Sequence, residues 1–203
     1  MNVHEAIATR RSVRRYRPDS IPDEVLDRLL NALRLAPSGS NRQPWRFVLV
    51  RDRAILKSFA EACTFVRPNG ELRPQAWIAD APLVVAACGS ERLAAVRYLR
   101  DGVLTVTDGA DPDLLHKGGQ VDPESIVEID LAIALDHLSL AAMEEGLGTC
   151  WIGGMNERLA KLALGVPDDW RLPIAMVVGY PVEWPEGRAR KPLAEIIRYD
   201  RFS

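Results

Sequence analysis

The sequence has 203 residues, which is enough for one domain with its own hydrophobic core. Its composition is that of an ordinary globular protein, and the formal net charge of −2 argues against a general binder of nucleic acid or anionic membranes. No apolar run approaches the ~20 residues that a membrane-spanning helix requires. Since residues 1–5 lead directly into a helical pattern instead of a signal peptide, we expect a cytoplasmic protein.

The first predicted element is a short helix that is followed by a cluster of arginines. Asn2 and Glu5 form a capping-box pattern, and the helix should end near Arg10. Residues 10–15 contain four arginines and a serine, within a region, 1–53, that carries 11 arginines against 6 acidic residues. A guanidinium group offers bidentate donors that match phosphate oxygens. The cluster therefore indicates an anion site, although a solvated surface with salt bridges would show the same spacing.

The next predicted elements are a helix, a polar turn and a strand. The helix opens at 21–24, where a proline and two acidic residues suit a first turn, and its apolar residues recur at helical spacing until Pro37 ends it. The turn over 37–41, Pro-Ser-Gly-Ser-Asn, exposes backbone N–H groups and tolerates unusual dihedral angles. An apolar run over 45–50 predicts the strand. With the arginine cluster, the turn suggests two sides of a clamp for a phosphorylated planar ligand.

The middle of the chain predicts one buried strand and one long helix. A short helix is expected over 54–62 and the buried strand over 82–88. Residues 98–125 mix aspartate, glycine and proline, so we expect a loop or lid with some helix there. The helix over 126–145 has almost no polar face, and such a helix is buried centrally or packs against a partner chain.

A pair of glycines, Gly153 and Gly154, separates the last predicted elements. Strands are expected over 149–152 and 173–180, and a helix over 157–164. Two glycines allow a backbone to approach a flat ligand closely and to present an N–H to its edge, although an ordinary strand-to-helix turn has the same pattern. This mixture of helices and strands within one domain indicates an α/β or α+β class.

The chain carries a second basic group but none of the common catalytic motifs. Arg188 and Arg190 lie near the C-terminus and could converge with the first cluster on one anion. There is no Walker loop, no Gly-x-Gly-x-x-Gly and no Gly-x-Ser-x-Gly, and neither the three cysteines nor the three histidines have the spacing of a metal site. We therefore expect no metal, cysteines that are inert core residues, and a bound cofactor that carries the chemistry.

Four blocks of sequence, in this order, resemble the nitroreductase family and span nearly the whole chain. They are Arg-Arg-Ser-Val-Arg at 10–14, Ala-Pro-Ser-Gly-Ser-Asn-Arg-Gln-Pro-Trp at 36–45, Gly-Leu-Gly-Thr-Cys-Trp-Ile-Gly-Gly at 146–154 and Arg-Ala-Arg-Lys-Pro at 188–192. The resemblance implies an α+β fold with a central mixed, mainly antiparallel sheet flanked by helices in an intertwined homodimer. It implies a single domain over 1–203, with a variable lid or loop region over 64–125 and a C-terminal arm over 186–203 that lies over the partner.

The resemblance also implies one FMN in each of two sites at the dimer interface. The residues that would hold it are Arg10, Arg11, Ser12 and Arg14 at the phosphate, ribityl chain and pyrimidine edge, Arg188 and Arg190 at the phosphate, and Pro37, Ser38, Ser40 and Asn41 from the partner. A backbone N–H of Gly153 or Gly154 would face flavin N5. Gln75 is a weaker candidate for a flavin contact, because the family pattern is poorly matched there.

The activity implied by the resemblance is ping-pong transfer of hydride from NADH or NADPH through FMN to a small acceptor, such as a nitroaromatic compound or a quinone. Three alternatives remain open at this point. The first is a flavin-using specialist of the same fold, either flavin-fragmenting or dehalogenating. The second is a non-catalytic FMN-binding or carrier protein, and the third is a dimer that binds another anion through its arginines. None of these involves nucleic acid or a membrane.

Overall fold

The computed structural model of the protein describes residues 1–91, 93 and 123–202, so most of the loop or lid predicted over 98–125 lies outside the described residues. The helices are α1 Val3–Thr9, α2 Asp23–Arg34, α3 Arg53–Ala62, α4 Pro123–Glu144, α5 Glu157–Leu164 and α6 Leu193–Ile196. The strands are β1 Trp45–Val50, β2 Thr64–Val66, β3 Leu72–Pro74, β4 Leu83–Gly89, β5 Gly148–Ile152 and β6 Arg171–Gly179. Single 3-10 turns lie at Gly39–Asn41 and Ala76–Asp80.

The centre of the fold is a four-stranded sheet with the strand order β1-β4-β6-β5, in which every neighbouring pair is antiparallel. The segment that follows α1 continues the sheet beyond β5, because Ser12 forms an isolated parallel bridge with Thr149. The prediction of an α+β fold with a mixed, mainly antiparallel sheet is confirmed. The N-terminal arginine cluster therefore lies along the β5 edge of the sheet.

Helices cover both faces of this sheet and create two buried clusters. Alternate residues of a strand point to opposite faces, and β4 shows this clearly, since Val85 packs with α2 and α4 whereas Val84 packs with α3 and α5. On the first face the two helices contribute five buried leucines, which are Leu29, Leu33, Leu131, Leu135 and Leu138. On the second face Leu56 and Phe59 of α3 are completely buried. The sheet is thus the middle of three layers.

The long elements form where the sequence predicts them. The capping box at Asn2 is present, with both reciprocal hydrogen bonds, and Gly165 ends α5 in the left-handed conformation with φ of 65°. Helix α4 begins three residues before the predicted position. Cys63, Cys88 and Cys150 are free and buried, and burial raises the pKa of the Cys88 thiol to about 11. The described helices include none that is long and apolar enough to cross a membrane.

The described part of the region expected as a variable lid or loop, 64–91, contains a short hairpin, a 3-10 turn and the predicted buried strand. Strands β2 and β3 pair as an antiparallel hairpin, and the buried strand β4 follows the 3-10 turn. The hairpin was not predicted because three residues are too few to show alternation. Pro74 lacks a backbone N–H and also argues against a strand, but a proline is tolerated in a two-stranded edge.

Candidate functional site

The arginine cluster is held in an extended segment against the edge strand β5. Val13 N donates to the carbonyl oxygen of Thr149 over 2.9 Å, and the Val13 side chain is completely buried. Arg14 and Arg15, which follow it, are exposed. Anchoring one apolar residue of the segment in the core therefore fixes the position from which the neighbouring guanidinium groups reach out.

The two basic groups of the sequence lie around one cavity of about 300 Å³, which we call the phosphate cavity. Its described lining includes Arg10, Arg11, Ser12, Arg14, Arg15, Glu183, Pro185, Glu186, Arg188 and Arg190. Six arginines face two glutamates, and one of those acids, Glu183, already forms an ion pair of 2.7 Å with Arg15. The cavity therefore has a marked excess of positive charge, which favours an anionic ligand.

Hydrogen bonds within the protein leave much of this charge uncompensated. Arg11 Nη1 donates to the carbonyl oxygens of Ala8 and Arg10, and Arg190 Nη1 donates to that of Arg188. These acceptors are neutral. Arg10 Nη1 is buried and has no hydrogen-bond partner among the described residues. Because a buried donor without an acceptor is costly, this atom is a specific place at which an anion would be stabilised.

A second cavity of about 740 Å³ adjoins the first, and we call it the aromatic cavity. Its described lining consists of Arg14, Arg73, Pro74, Gln75, Ala76, Trp77, Trp151, Ile152, Gly153 and Gly154. Arg14 lines both cavities, so it stands at their junction. Two tryptophans and two arginines, with no acid among the described lining residues, suit a planar ligand that carries negative charge.

The two glycines after β5 have different surroundings. A Cβ on Gly154 would lie 2.7 Å from the carbonyl oxygen of Thr64 in β2, whereas a Cβ on Gly153 would meet nothing within 4 Å. Gln75 Nε2 donates to the Gly154 carbonyl oxygen over 3.2 Å. Gly154 is therefore required by packing against the hairpin. Gly153 has no such requirement, and the absence of a side chain there leaves the wall of the aromatic cavity open.

The turn over 37–43 is a rigid, strained loop that is fastened to α4. Ser38 Oγ accepts a hydrogen bond from Gln43 N, and Gly39 N donates to Asp130 Oδ1 over 3.1 Å. Asn41 and Gln43 have positive φ angles of 54° and 50°, which non-glycine residues rarely adopt. Burial raises the pKa of the Asp130 carboxyl, and the bond from Gly39 opposes that shift. The side chain of Ser40 lies outside the described residues.

Within one chain this loop leads into β1, which lies at the opposite edge of the sheet from the arginine cluster. Trp45, which follows the loop, pairs with Gly89, and Gly89 pairs with Arg171, whereas Thr149 beside the arginine cluster pairs with Val178. The partners of these two positions on β6, Arg171 and Val178, are seven residues apart. Strands β1 and β5 are three strand spacings apart. At ~3.3 Å per residue and ~4.8 Å per strand, Trp45 and Thr149 are roughly 27 Å apart. Pro37, Ser38 and Asn41 are accordingly not among the described lining of either cavity.

Comparison with known proteins connects this arrangement to a family. The profile of the Nitroreductase family matches residues 7–180. The chain belongs to the nitroreductase family. A putative NADH dehydrogenase/NAD(P)H nitroreductase of Archaeoglobus fulgidus is 34% identical over 86% of this chain and 83% of its own length. The 5,6-dimethylbenzimidazole synthase of Rhodospirillum rubrum is 30% identical (93% and 83%), and the FMN reductase [NAD(P)H] of Bacillus subtilis is 28% identical (94% and 70%).

Solved structures agree with this assignment to the nitroreductase family. The structure of Bacillus megaterium NfrA2 matches with a TM-score of 0.77 and 28% identity, over 100% of this chain and 76% of that chain. The predictions of the family, of its fold and of an oxidoreductase are therefore confirmed. The assignments of individual residues to a cofactor remain predictions.

In this nitroreductase-family chain, the charged and aromatic side chains of the aromatic cavity that the sequence did not predict as site residues are Arg73, Trp77 and Trp151. Trp77 lies in the 3-10 turn and stacks on Tyr16, with 6.4 Å between ring centroids, and Trp151 belongs to β5. In the sequence a tryptophan in an apolar run looks like a core residue, and the hairpin that carries Arg73 is too short to predict. The only available signal was the closeness of Arg73 and Trp77 to the weak candidate Gln75.

Proposed function

We propose that the protein is an FMN-dependent oxidoreductase that takes hydride from NADH or NADPH and passes it to a small acceptor, such as a nitroaromatic compound or a quinone, in a ping-pong cycle. The observation that carries the proposal is the arginine-rich phosphate cavity, which joins the aromatic cavity at Arg14. A phosphate at one end and a flat, electron-accepting ring at the other match that shape and charge. The names of the relatives, an NAD(P)H nitroreductase and an FMN reductase, support the same reading.

The residues present fit FMN. Arg10, Arg11, Ser12, Arg188 and Arg190 would hold the phosphate, and the unpartnered Nη1 of Arg10 would then gain a charge-assisted acceptor. When bound, FMN supplies an acceptor and donor of hydride, which side chains alone cannot provide. Arg14, at the junction of the cavities, would place positive charge beside the ring and so favour a reduced, anionic cofactor.

Gly153 and Gly154 would then have separate tasks. Gly153 lies at the open wall of the aromatic cavity, and its backbone N–H would face the edge of a planar ring bound there. Gly154 packs against Thr64 and receives a hydrogen bond from Gln75, so it holds the turn in place. We therefore assign the contact with flavin N5 to Gly153, and to Gln75 the indirect task of fixing the turn.

We further propose that the protein works as a homodimer in which each flavin site is shared. The loop over 37–41, which the family resemblance assigns to the flavin, leads into Trp45, and Trp45 lies roughly 27 Å from Thr149 beside the arginine cluster by the strand spacings above. A second copy would therefore have to bring this loop to the site. Helix α4 presents half-exposed Ile129 on its outer side. The arm over 186–202 exposes Leu193, Tyr199 and Phe202 (73%, 87% and 97% exposed). These apolar surfaces are what a partner would cover.

The cofactor and the turnover are tested by one absorbance experiment. We expect the purified protein, if necessary after reconstitution with FMN, to show flavin absorbance that bleaches when NADH or NADPH is added without oxygen. Admission of a quinone should restore the oxidised spectrum. A flavoprotein that neither nucleotide reduces would be a carrier. If the flavin is converted to a product that neither oxygen nor a quinone turns back into oxidised flavin, the flavin-fragmenting alternative would be favoured. A protein that cannot be loaded with FMN would refute the proposal.

The two tasks of the glycines are separated by a matched pair of substitutions. Gly154→Ala should lower the free energy of unfolding of the apoprotein by about 1–3 kcal/mol, because its Cβ would overlap the Thr64 carbonyl oxygen. Gly153→Ala should leave that stability within ~0.5 kcal/mol of wild type but weaken FMN binding about tenfold or more, because the methyl group enters the space given to the ring. Urea unfolding and flavin titration measure the two effects. An inverted pattern would reverse the assignment.

A further inference from the structure

One charged residue at the aromatic cavity is not used by the proposed cofactor site. Arg73 lies in β3, where it pairs in register with Phe65 of β2, and it is exposed. The other arginine of the hairpin, Arg67, forms an ion pair of 3.0 Å with Glu71. Arg73 forms neither a hydrogen bond nor an ion pair with any described residue. It is therefore an uncompensated cation beside the cavity, on a hairpin whose other charges are paired.

The hairpin holds Arg73 at a fixed place relative to the glycine turn. Gln75 N donates to the carbonyl oxygen of Cys63 over 2.9 Å, which closes the base of the hairpin. Gln75 Nε2 donates to the Gly154 carbonyl oxygen, and the space beside Gly154 is so narrow that a Cβ there would overlap the Thr64 carbonyl oxygen. Arg73 is two residues from Gln75 on the same strand, which is ~6.6 Å along an extended chain. The Arg73 backbone is therefore close enough for its guanidinium group to reach a molecule that lies against the glycine turn.

The charge in the aromatic cavity favours one class of molecule there. Arg14 also lines the phosphate cavity and belongs, by the function proposed above, to the flavin. Trp77 and Trp151 supply flat apolar surface, and no acid is among the described lining residues. What remains for a second molecule is one aromatic surface and one unpaired arginine. This combination fits a planar ring with a carboxylate or phosphate attached to it.

We propose that Arg73 binds the anionic group of the molecule that enters the aromatic cavity beside the flavin, and that it thereby selects anionic substrates over neutral ones of the same shape. The inference rests on the proposed flavin site. The anionic group has two possible sources, namely a carboxylate on an aromatic acceptor or a phosphate of the reducing dinucleotide. Arg73 makes no contact with FMN in this assignment, so its replacement should leave the cofactor in place.

The test compares pairs of substrates that differ in charge and little else. Stopped-flow measurements on Arg73→Gln would follow reduction by NADPH, by NADH and by a phosphate-free benzyl dihydronicotinamide, and reoxidation by 4-nitrobenzoate and by neutral 4-nitrobenzamide. We expect the second-order rate constant for the charged member of one pair to fall about tenfold, as for the loss of one charge-assisted hydrogen bond, and that for the neutral member to change less than twofold. The difference should shrink at high ionic strength. Arg67→Gln, the same change on the same hairpin, is the matched control.

The outcomes are separable from those of the proposed function. A selective loss during reoxidation identifies the carboxylate of an acceptor, and a selective loss during reduction identifies a dinucleotide phosphate; either supports the inference. Equal losses for charged and neutral members, no loss, or the same loss in Arg67→Gln would overturn it. Loss of FMN from the Arg73→Gln protein would also overturn the inference, because Arg73 would then hold the cofactor. Failure of the wild-type protein to bind FMN would instead refute the function on which the inference rests.

Discussion

Replacing both Arg10 and Arg190 by alanine should weaken FMN binding by about two to four orders of magnitude. Each guanidinium would lose a charge-assisted hydrogen bond to the phosphate, worth ~1.5–3 kcal/mol, and 1.4 kcal/mol corresponds to a factor of ten. Arg10 and Arg190 come from opposite ends of the chain but line the same cavity. The flavin should consequently be lost on gel filtration, and titration of the apoprotein with FMN, followed by flavin fluorescence, gives the change in dissociation constant.

The fold should tolerate this double substitution. Arg10 Nη1 is buried without a partner, so its removal also removes an unfavourable burial in the apoprotein, and Arg190 is exposed. A suitable control is the double variant Arg34→Ala with Arg158→Ala, which also removes two positive charges. Both positions are exposed and absent from the described lining of the phosphate cavity. If the cavity variant binds FMN as tightly as this control, the phosphate lies elsewhere. If both variants lose FMN equally, net charge and not the cavity governs binding.

The parts of the fold that could be predicted are those with local signals. The capping box at Asn2, the proline before Asp23 and the left-handed Gly165 mark helix boundaries within a few neighbouring residues. The hairpin at 64–74 could not be predicted in this way, because its strands are short. It is held by hydrogen bonds from Gln75 to Cys63, which closes the base of the hairpin, and to Gly154, which is distant from it in sequence.

The candidate site likewise has a part that could be predicted from local sequence and a part that could not. The arginines of the phosphate cavity could be proposed from sequence because their chemistry is specific, and a phosphate needs several such donors. The difference between Gly153 and Gly154 could not, since it depends on the position of the Thr64 carbonyl oxygen. Arg73 was missed for a related reason, because the function of an exposed arginine can be proposed only when its neighbours in space are known. Sequence therefore predicted more of the lining of the phosphate cavity than of the aromatic cavity.

Placing an arginine at Ile129 should separate the proposed dimer and, as a consequence, weaken the flavin site. Ile129 is 54% exposed on α4, the helix to which the loop over 37–41 is fastened through Asp130. In a symmetric dimer Ile129→Arg would bury two unpaired charges. At ~2 kcal/mol or more for each, the dissociation constant of the dimer should rise by about three orders of magnitude. Sedimentation velocity over a range of protein concentrations measures this change.

A flavin site shared between two chains predicts a second result, which a structural defect in Ile129→Arg would not by itself produce. If the loop over 37–41 reaches the flavin of the partner, FMN affinity in Ile129→Arg should increase with protein concentration, in step with the dimer fraction. Leu162→Arg is the control, because Leu162 is 68% exposed on α5, which packs on the opposite face of the sheet. That variant should remain dimeric and yellow. A monomeric Ile129→Arg protein that binds FMN with wild-type affinity would show that one chain completes the site, and the loop over 37–41 would then need another role.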